Sequence, residues 1–471
     1  SPIMRVNLHA PGGGATAHES LAGAFGIPEC MPPARRRAFK VTGIIAEYNP
    51  FHSGHEYHIQ KAREITNADY IVIAMSGDFV QRGGPAVFDK YTRAHMALLN
   101  GADLVLELPS SFACSTAEEF AGCGVALLDQ LGVVDHLCFG SECGDVEELK
   151  KAADLIAAEP AGYSLALREQ LKTGVSFPAA RQIALEEACE AAAGGTFGNL
   201  ISSPNNILGL EYCKAIQSQH ASLNPVTILR QGAGYHESFA SPSHKESGRF
   251  ASASGIRQAL YEEFPRGEWK DFVSFQTFSG ISFLPPVIHH LFSLSKPLWP
   301  EDFSSLLNQK ILDAVSLSPD DPFSDYSDFS LDLSQRLKKS ALDFSGWEDR
   351  TARLKTRQYT YTRVNRALTR LLLGIKKDTI EDFKKQNYAF YARMLGFRRT
   401  AVPLLTEIKK NSRIPLISRP SAALNILSGP ALNQLQQDLY ASHLYQCAYE
   451  QRYHIDGRKM KNEFNRKMLV L

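Results

Sequence analysis

Two histidines and a serine–arginine cluster carry the most legible chemistry in this chain. The run Glu47-Tyr48-Asn49-Pro50-Phe51-His52-Ser53-Gly54-His55 contains His-x-Gly-His directly after an apolar segment. That is where a strand hands over to a helix, whose free backbone N–H groups and dipole favour phosphate. Two imidazoles three residues apart can lie on one side of the helix entrance. Both can donate to a triphosphate and stabilise charge on departing pyrophosphate. Gly54 lets a nucleotide approach the backbone. A histidine pair is more often structural, but its place after a buried strand favours nucleotide binding. The second cluster is Phe250-Ala251-Ser252-Ala253-Ser254-Gly255-Ile256-Arg257. Ser252 and Ser254 can cap a helix and offer hydroxyl and N–H groups to phosphate, and Arg257 adds charge.

The elements that position these residues alternate. Val41 to Ala46, Tyr70 to Met75, Leu104 to Leu108, His136 to Phe139 and Pro225 to Arg230 read as buried strands. Helices are expected from Gly54 to Thr66, from Asp89 to Asn100, through Leu127, across 146–220 and from about Gly255. Near-continuous apolar strands separated by helices predict an α/β fold with a parallel sheet covered on both faces and right-handed crossovers. Ligands bind such sheets at the carboxyl ends of the strands. Four regions are expected: a flexible N-terminal extension (1–39), a catalytic domain (40–270), a connecting region (271–340) and a basic helical region (341–471). Residues 313–332, acidic and broken by Pro319 and Pro322, read as a linker or surface excursion.

The chain has 471 residues, 44% hydrophobic and 21% charged, which excludes a disordered, collagen-like or disulfide-stapled protein. Its net charge of +1 hides a division: residues 351–471 carry 23 Lys and Arg against 8 Asp and Glu, a balance of +15. The remainder carries −14. A segment so basic calls for a compensating partner, and nucleic acid suits it better than a membrane, since it lacks a long apolar face with aromatic anchors. The eight cysteines form no CxxC pair, so no zinc or other metal ligand set is expected. With no apolar leader-like run, they read as reduced thiols of a cytoplasmic protein.

The segments AEYNPFHSGHEYHI, MSGDFVQRGGPAVFDKYTRAHMAL, GADLVLELP, FGSE, SPNNILGLEY and GAGYHES together resemble the tRNA(Met) cytidine acetate ligase family, of the HxGH-motif nucleotidylyltransferase superfamily. The late serine-rich Ile-Arg segment resembles that superfamily's signature. The resemblance implies a Rossmann-like nucleotidylyltransferase domain followed by a mainly α-helical basic domain. It implies ATP-dependent activation of acetate to acetyl-adenylate, with Mg²⁺ held through phosphates and water. The acetyl group then passes to N4 of the wobble cytidine of elongator tRNA(Met), giving N4-acetylcytidine. Carried over by motif, the ATP-binding stretch is Ile45, Ala46, Glu47, Tyr48, Asn49, Pro50, Phe51, His52, Ser53, Gly54, His55, Glu56, Tyr57 and His58. Gly140, either Asn205 or Asn206, and Arg230 match further nucleotide contacts. Ser252, Ser254 and Arg257 complete the set, with His52, His55 and Arg257 as the catalytic residues.

Other residues admit two readings. Gln81 and Arg82 contact acetate, phosphate or RNA, or belong to a glycine-rich turn. Lys90 and Arg93 meet phosphate or form a surface face. Glu107 is a paired core carboxylate or a site acid. His236 is a weaker candidate. For the tRNA, Arg363, Arg366 and Arg370 share one helical face, with Val364, Leu368, Leu371 and Ile375 on another. Lys376, Lys377, Arg398 and Arg399 extend the basic surface, interleaved with Tyr388, Phe390, Tyr391 and Phe397, most of them core. Two rivals remain. A small-molecule adenylyltransferase of the same fold would make a dinucleotide without RNA. A non-catalytic RNA-binding protein would bind tRNA without ATP turnover.

Overall fold

β1 (Val41–Ala46) and β2 (Tyr70–Ser76) pair in parallel with Ile44 opposite Ile73, and both are mainly apolar and buried. A computed structural model describes residues 38–158, 162–175, 179–184, 186–187, 200, 203–230, 252–264 and 272–471. Around that pair stand β3 (Leu104–Leu108), β4 (His136–Ser141) and β5 (Asn224–Leu229). The sheet runs β5-β4-β1-β2-β3 and continues through β6 (Ala392–Phe397) and β7 (Leu416–Ile417); β8 (Leu469–Val470) also pairs with β6. The first five strands are mutually parallel. β1 has β2 on one side and β4 on the other, so the chain reverses its direction of winding at β1/β4. A crevice opens at such a switch point.

Alternate residues of each strand feed two cores. Val72 and Ala74 join the core built with helix Ala117–Gln130, while Ile71, Ile73 and Met75 join the one built with helices Ser53–Thr66 and Lys90–Leu99. Two glycines set the spacing on the first face. A Cβ on Gly124 would lie 2.4 Å from Ile45 Cδ1, and one on Gly43 would lie 2.7 Å from Leu128 Cδ1. Only glycine lets that helix settle so closely on β1.

Phe39–Leu471 form one compact unit. The basic C-terminal part is mainly helical, but it also supplies strands, which the helical reading omitted. β6 runs antiparallel to β3, with Glu107 opposite Arg393. Its sequence, Ala392-Arg393-Met394-Leu395-Gly396-Phe397, hides the strand. A buried arginine breaks the apolar run, and Gly396 is there because a Cβ would press on Leu469 and Leu98. The acidic 313–332 segment is not a loose linker. It continues helix Ser304–Leu317 and then buries Phe323, Tyr326 and Phe329.

Candidate active site

Helix Ser53–Thr66 starts with an unusual cap. The Gly54 N–H donates to His52 Nδ1 at 3.0 Å, and the His52 N–H donates to His55 Nδ1 at 3.3 Å. Each Nδ1 is thus an acceptor, so each neutral ring carries its proton on Nε2. The ring centroids lie 3.8 Å apart. Burial, then the positive charges of Arg230 and Arg257, push His52 down to about 3. His55 is likewise held well below its usual value by burial, then by His52 and Arg230. Both imidazoles are therefore neutral N–H donors near pH 7.

The loop beneath them is pinned from three sides. Asn49 Oδ1 accepts the Val87 N–H at 2.8 Å, and Arg257 donates to the Asn49 carbonyl. Arg93 donates to the carbonyls of Glu47, Ser76, Gly77 and Phe88. Arg93 thus belongs neither to a phosphate site nor to a surface face: it is fully buried and ties together the loops leaving β1 and β2. Tyr48 takes φ +51°, a left-handed conformation rare for an aromatic residue and concentrated at functional turns.

These elements enclose a cavity of about 490 Å³. Its wall brings together Ile45, Ala46, Glu47, Tyr48, Asn49, His52, Gly54, His55, Tyr57 and His58 with Gly140, Asn205, Arg230, Ser252, Ser254 and Arg257. Ser252 Oγ accepts the Gly255 N–H, capping helix Ala253–Glu263, and lies 3.1 Å from Ser254 Oγ. Arg230 donates to Asn205 Oδ1 at 3.1 Å. The expected pair of clusters therefore meets at one cavity, at the β1/β4 switch point.

Five expected contacts stand back from the wall. Phe51 is buried against Tyr48, with ring centroids 4.9 Å apart, and Pro50 is buried beside it. Glu56 accepts from Gln60 along the exposed helix face. Ser53 begins the helix but does not line the cavity. Asn206 is 3% exposed, and its Oδ1 accepts the N–H groups of Glu142 and Cys143 at 2.9 and 3.0 Å. The adjacent asparagines thus divide: Asn205 faces the cavity and Asn206 holds the loop after β4. Asn206→Ala is expected to lower stability by about 1–3 kcal/mol through two orphaned N–H groups, seen as a lower Tm. Asn205→Ala should leave Tm nearly unchanged and raise KM for ATP.

The wall also includes Gln81, Arg82, Phe120, Phe139, Glu142, Leu208 and Tyr212. Glu142, inside FGSE, accepts from the Asn205 side chain at 2.6 Å and the Asn206 N–H at 2.8 Å. It could have been read from its place just past the strand glycine. The aromatics and Leu208 could not, because apolar residues in strands and helices read as core. Gln81 is anchored by its N–H to Glu47 and its amide to the Ser115 carbonyl. His236 lies outside the described residues, as does the 1–37 stretch.

The basic arm differs from expectation. Arg370 is 2% exposed, donating to Glu119 and the Cys114 carbonyl and paired with Asp328; Arg366 makes a two-pronged pair with Asp328. Neither guanidinium is offered to a surface ligand, because the 313–332 segment folds over that helical face. Arg363 lies over the Tyr359 ring and Lys376 over the Tyr326 ring. Lys377 donates to the Ser324 carbonyl, and Arg398 to the Leu98 carbonyl. Arg399 is exposed, as are Lys409, Lys410, Arg413 and Arg419. Much of the +15 is answered internally: Arg370–Glu119, Arg393–Glu107, Arg413–Asp129 and Arg452–Asp302 each join the basic end to the acidic remainder. Among the described residues, no three metal-ligating side chains cluster, and no helix is long and apolar enough to cross a membrane.

A family model described as HIGH Nucleotidyl Transferase matches residues 39–460. The tRNA(Met) cytidine acetate ligase of Thermoanaerobacter sp. (strain X514) is 37% identical over 411 residues, 87% of this chain and 96% of the relative. That of Acetivibrio thermocellus is 36% identical over 433 residues, 92% of this chain and all of the relative. The crystal structure of Thermotoga maritima TmcAL bound with alpha-thio ATP superposes with a TM-score of 0.78 at 29% identity, covering 92% of this chain and 100% of that one. The apo form of the same protein gives 0.79 at 30% identity, covering 92% and 99%.

Proposed function

The chain belongs to the HIGH nucleotidyl transferase family and, within it, to the tRNA(Met) cytidine acetate ligases, and from that premise we propose that it acetylates the wobble cytidine of elongator tRNA(Met) in the cytoplasm, at the expense of ATP. The observation that carries this reading is the cavity in which two imidazole Nε2–H donors share a wall with Ser252, Ser254 and Arg257. Acetate attacks the α-phosphorus of ATP in line, the bridging P–O bond breaks, and pyrophosphate leaves. The chain supplies no nucleophile to this step. It positions the reactants and stabilises charge on the leaving group. His52 and His55 donate to the phosphates, and Arg230 and Arg257 bring positive charge. Mg²⁺ would arrive on the phosphates and neutralise part of their charge, with Glu47 and Glu142 the carboxylates on the wall to receive its waters. The cytidine N4 amine, a poor nucleophile, then attacks the acyl carbon of the mixed anhydride and AMP departs. Its base must leave the stack to do so.

The decisive assay incubates the chain with ATP, labelled acetate and tRNA. Acid-stable label in tRNA is expected. A dinucleotide product, or tRNA binding with no ATP consumed, sinks the ligase reading in favour of one of its rivals. We read Phe120, Leu208 and Tyr212 as the wall that limits the acid's length. Leu208→Ala, at a half-buried site, should raise the use of propionate relative to acetate by roughly tenfold, the discrimination expected for one methylene. Competition between the two acids in the same mixture checks it.

A further inference from the structure

A second cavity, of about 310 Å³, is lined by Asp78, Tyr91, Tyr445, Tyr449, Glu463 and Arg466 among others. It lies by the loop that leaves β2, so it shares the carboxyl edge of the sheet with the first. Asp78 and Gln81, one in each wall, are three residues apart in the chain, which limits their Cα separation to about 11 Å. The chemistry proposed above uses none of its residues.

Asp78 is 6% exposed. Its Oδ1 accepts the Lys90 N–H at 2.8 Å, while Oδ2 has no partner among the described residues. That oxygen is reached from the cavity, where it can accept an N–H from a ligand. The remaining walls are flat. Tyr91 donates its hydroxyl to Glu463, and Tyr445 to the Ala86 carbonyl. Both therefore turn to the cavity as rings rather than as donors. The Arg466 guanidinium lies 4.3 Å over the Tyr91 ring, and Tyr449 is half-buried at the opposite element. Aromatic and guanidinium planes are what unstacked bases settle on. A carboxylate acceptor reads an exocyclic amine. Against Lys461 and Arg466 the wall sets three carboxylates, Asp78, Asp89 and Glu463, so a free phosphate would meet a net like charge, and a simple cation has no use for the planes.

We propose that this cavity holds an unstacked, amine-bearing nucleobase of the tRNA, cytosine or adenine, adjacent to the residue that is acetylated. The inference rests on the tRNA reading above. Extracting one base from a loop unstacks its neighbour, and the second cavity gives that neighbour a seat.

The test is the Kd of the full chain for an unmodified tRNA(Met) transcript, measured without ATP or acetate. Asp78→Asn keeps the acceptor for the Lys90 N–H and turns the free acceptor into a donor. Tyr449→Ala removes a plane. Each should weaken binding roughly tenfold, with acetate-dependent exchange of pyrophosphate into ATP, which needs no RNA, unchanged. A transcript with a carbonyl in place of the neighbouring base's amine (C to U, or A to G) should restore affinity for Asp78→Asn alone. Unchanged Kd in both variants overturns the proposal, as does a wild-type chain that does not bind the transcript. Should Asp78→Asn not fold, Tyr449→Ala and the altered transcript on wild type decide it. Absent exchange in wild type would instead remove the acetate chemistry, and the Kd comparison would still judge the cavity.

Discussion

His55→Ala should lower acetate-dependent exchange of pyrophosphate into ATP by about 10²–10³-fold, the loss expected for one preorganised donor to developing negative charge. The effect belongs to the Nε2–H. His55 Nδ1 is already committed to the His52 N–H, so a substitution also disturbs the helix cap. His55→Gln should lose less exchange than His55→Ala, because its amide oxygen can still accept the His52 N–H while its NH2 can still donate. If both variants retain wild-type exchange, the two imidazoles are not the phosphate site. The protonation state adds a second readout. Folding holds His52 at about 3, against about 6.5 in the unfolded chain. The folded state therefore binds fewer protons, and this contribution to stability is present above pH 6.5 and lost as pH falls towards 3. Polyphosphate beside the rings reverses the repulsion from Arg230 and raises both imidazoles. The shift in Tm produced by ATP should therefore grow between pH 7.5 and 6, and grow less in His52→Ala.

What the sequence disclosed of this site follows from how local its determinants are. His52, Gly54 and His55 sit within one turn, so a strand followed by a capped helix places them without knowledge of the rest. Ser252 and Arg257 are equally local to their own helix start. Recognition of the family joined the two clusters; spacing alone does not say that residues 200 positions apart share a wall. Tyr48 shows the opposite case. Nothing in its type announces a left-handed backbone, which the bonds from Arg93, Val87 and Arg257 impose on its loop.

The basic arm shows where a pattern misleads. Arg363, Arg366 and Arg370 do share a helical face, and the apolar residues opposite are core as expected. A charged face becomes a nucleic-acid surface only if nothing of the chain's own covers it. Here Asp328 and Glu119 do, from segments 38 and 251 residues distant. The acidic 313–332 segment looked like a linker for the same reason: its carboxylates are surface-like in composition, but one of them is the counterion of two arginines.

The same long-range pairing makes Glu107→Gln the substitution expected to cost most stability. Lys90 donates to Glu107 at 2.7 and 2.9 Å and to Ser442 at 2.6 Å. Arg393 lies 3.0 Å from Glu107, and Glu463 pairs with both cations. Two cations and two carboxylates, each no more than 3% exposed apart from Glu463 at 6%, thus join helix Lys90–Leu99, β3, β6 and the chain's last ten residues. Neutralising one carboxylate leaves a buried positive charge uncompensated, which costs about 3–5 kcal/mol. The midpoint of the first denaturant transition should fall accordingly. Removing Lys90 as well should recover much of the loss, because a buried pair replaced whole is nearly neutral; Lys90→Met with Glu107→Gln is therefore expected to be more stable than Glu107→Gln alone. Additive losses would mean that the four groups do not act as a cluster. Acid gives an independent check at Glu463. Burial opposes its charge, but Lys90 and Arg393 outweigh that and hold it at about 2. Its contribution is present above the unfolded value of about 4.3 and lost as pH falls towards 2. The stability difference between wild type and Glu463→Gln should be constant from pH 7 to 5 and shrink below about pH 4. A difference that persists unchanged at pH 2.5 would mean that packing, rather than charge, anchors the C-terminal segment.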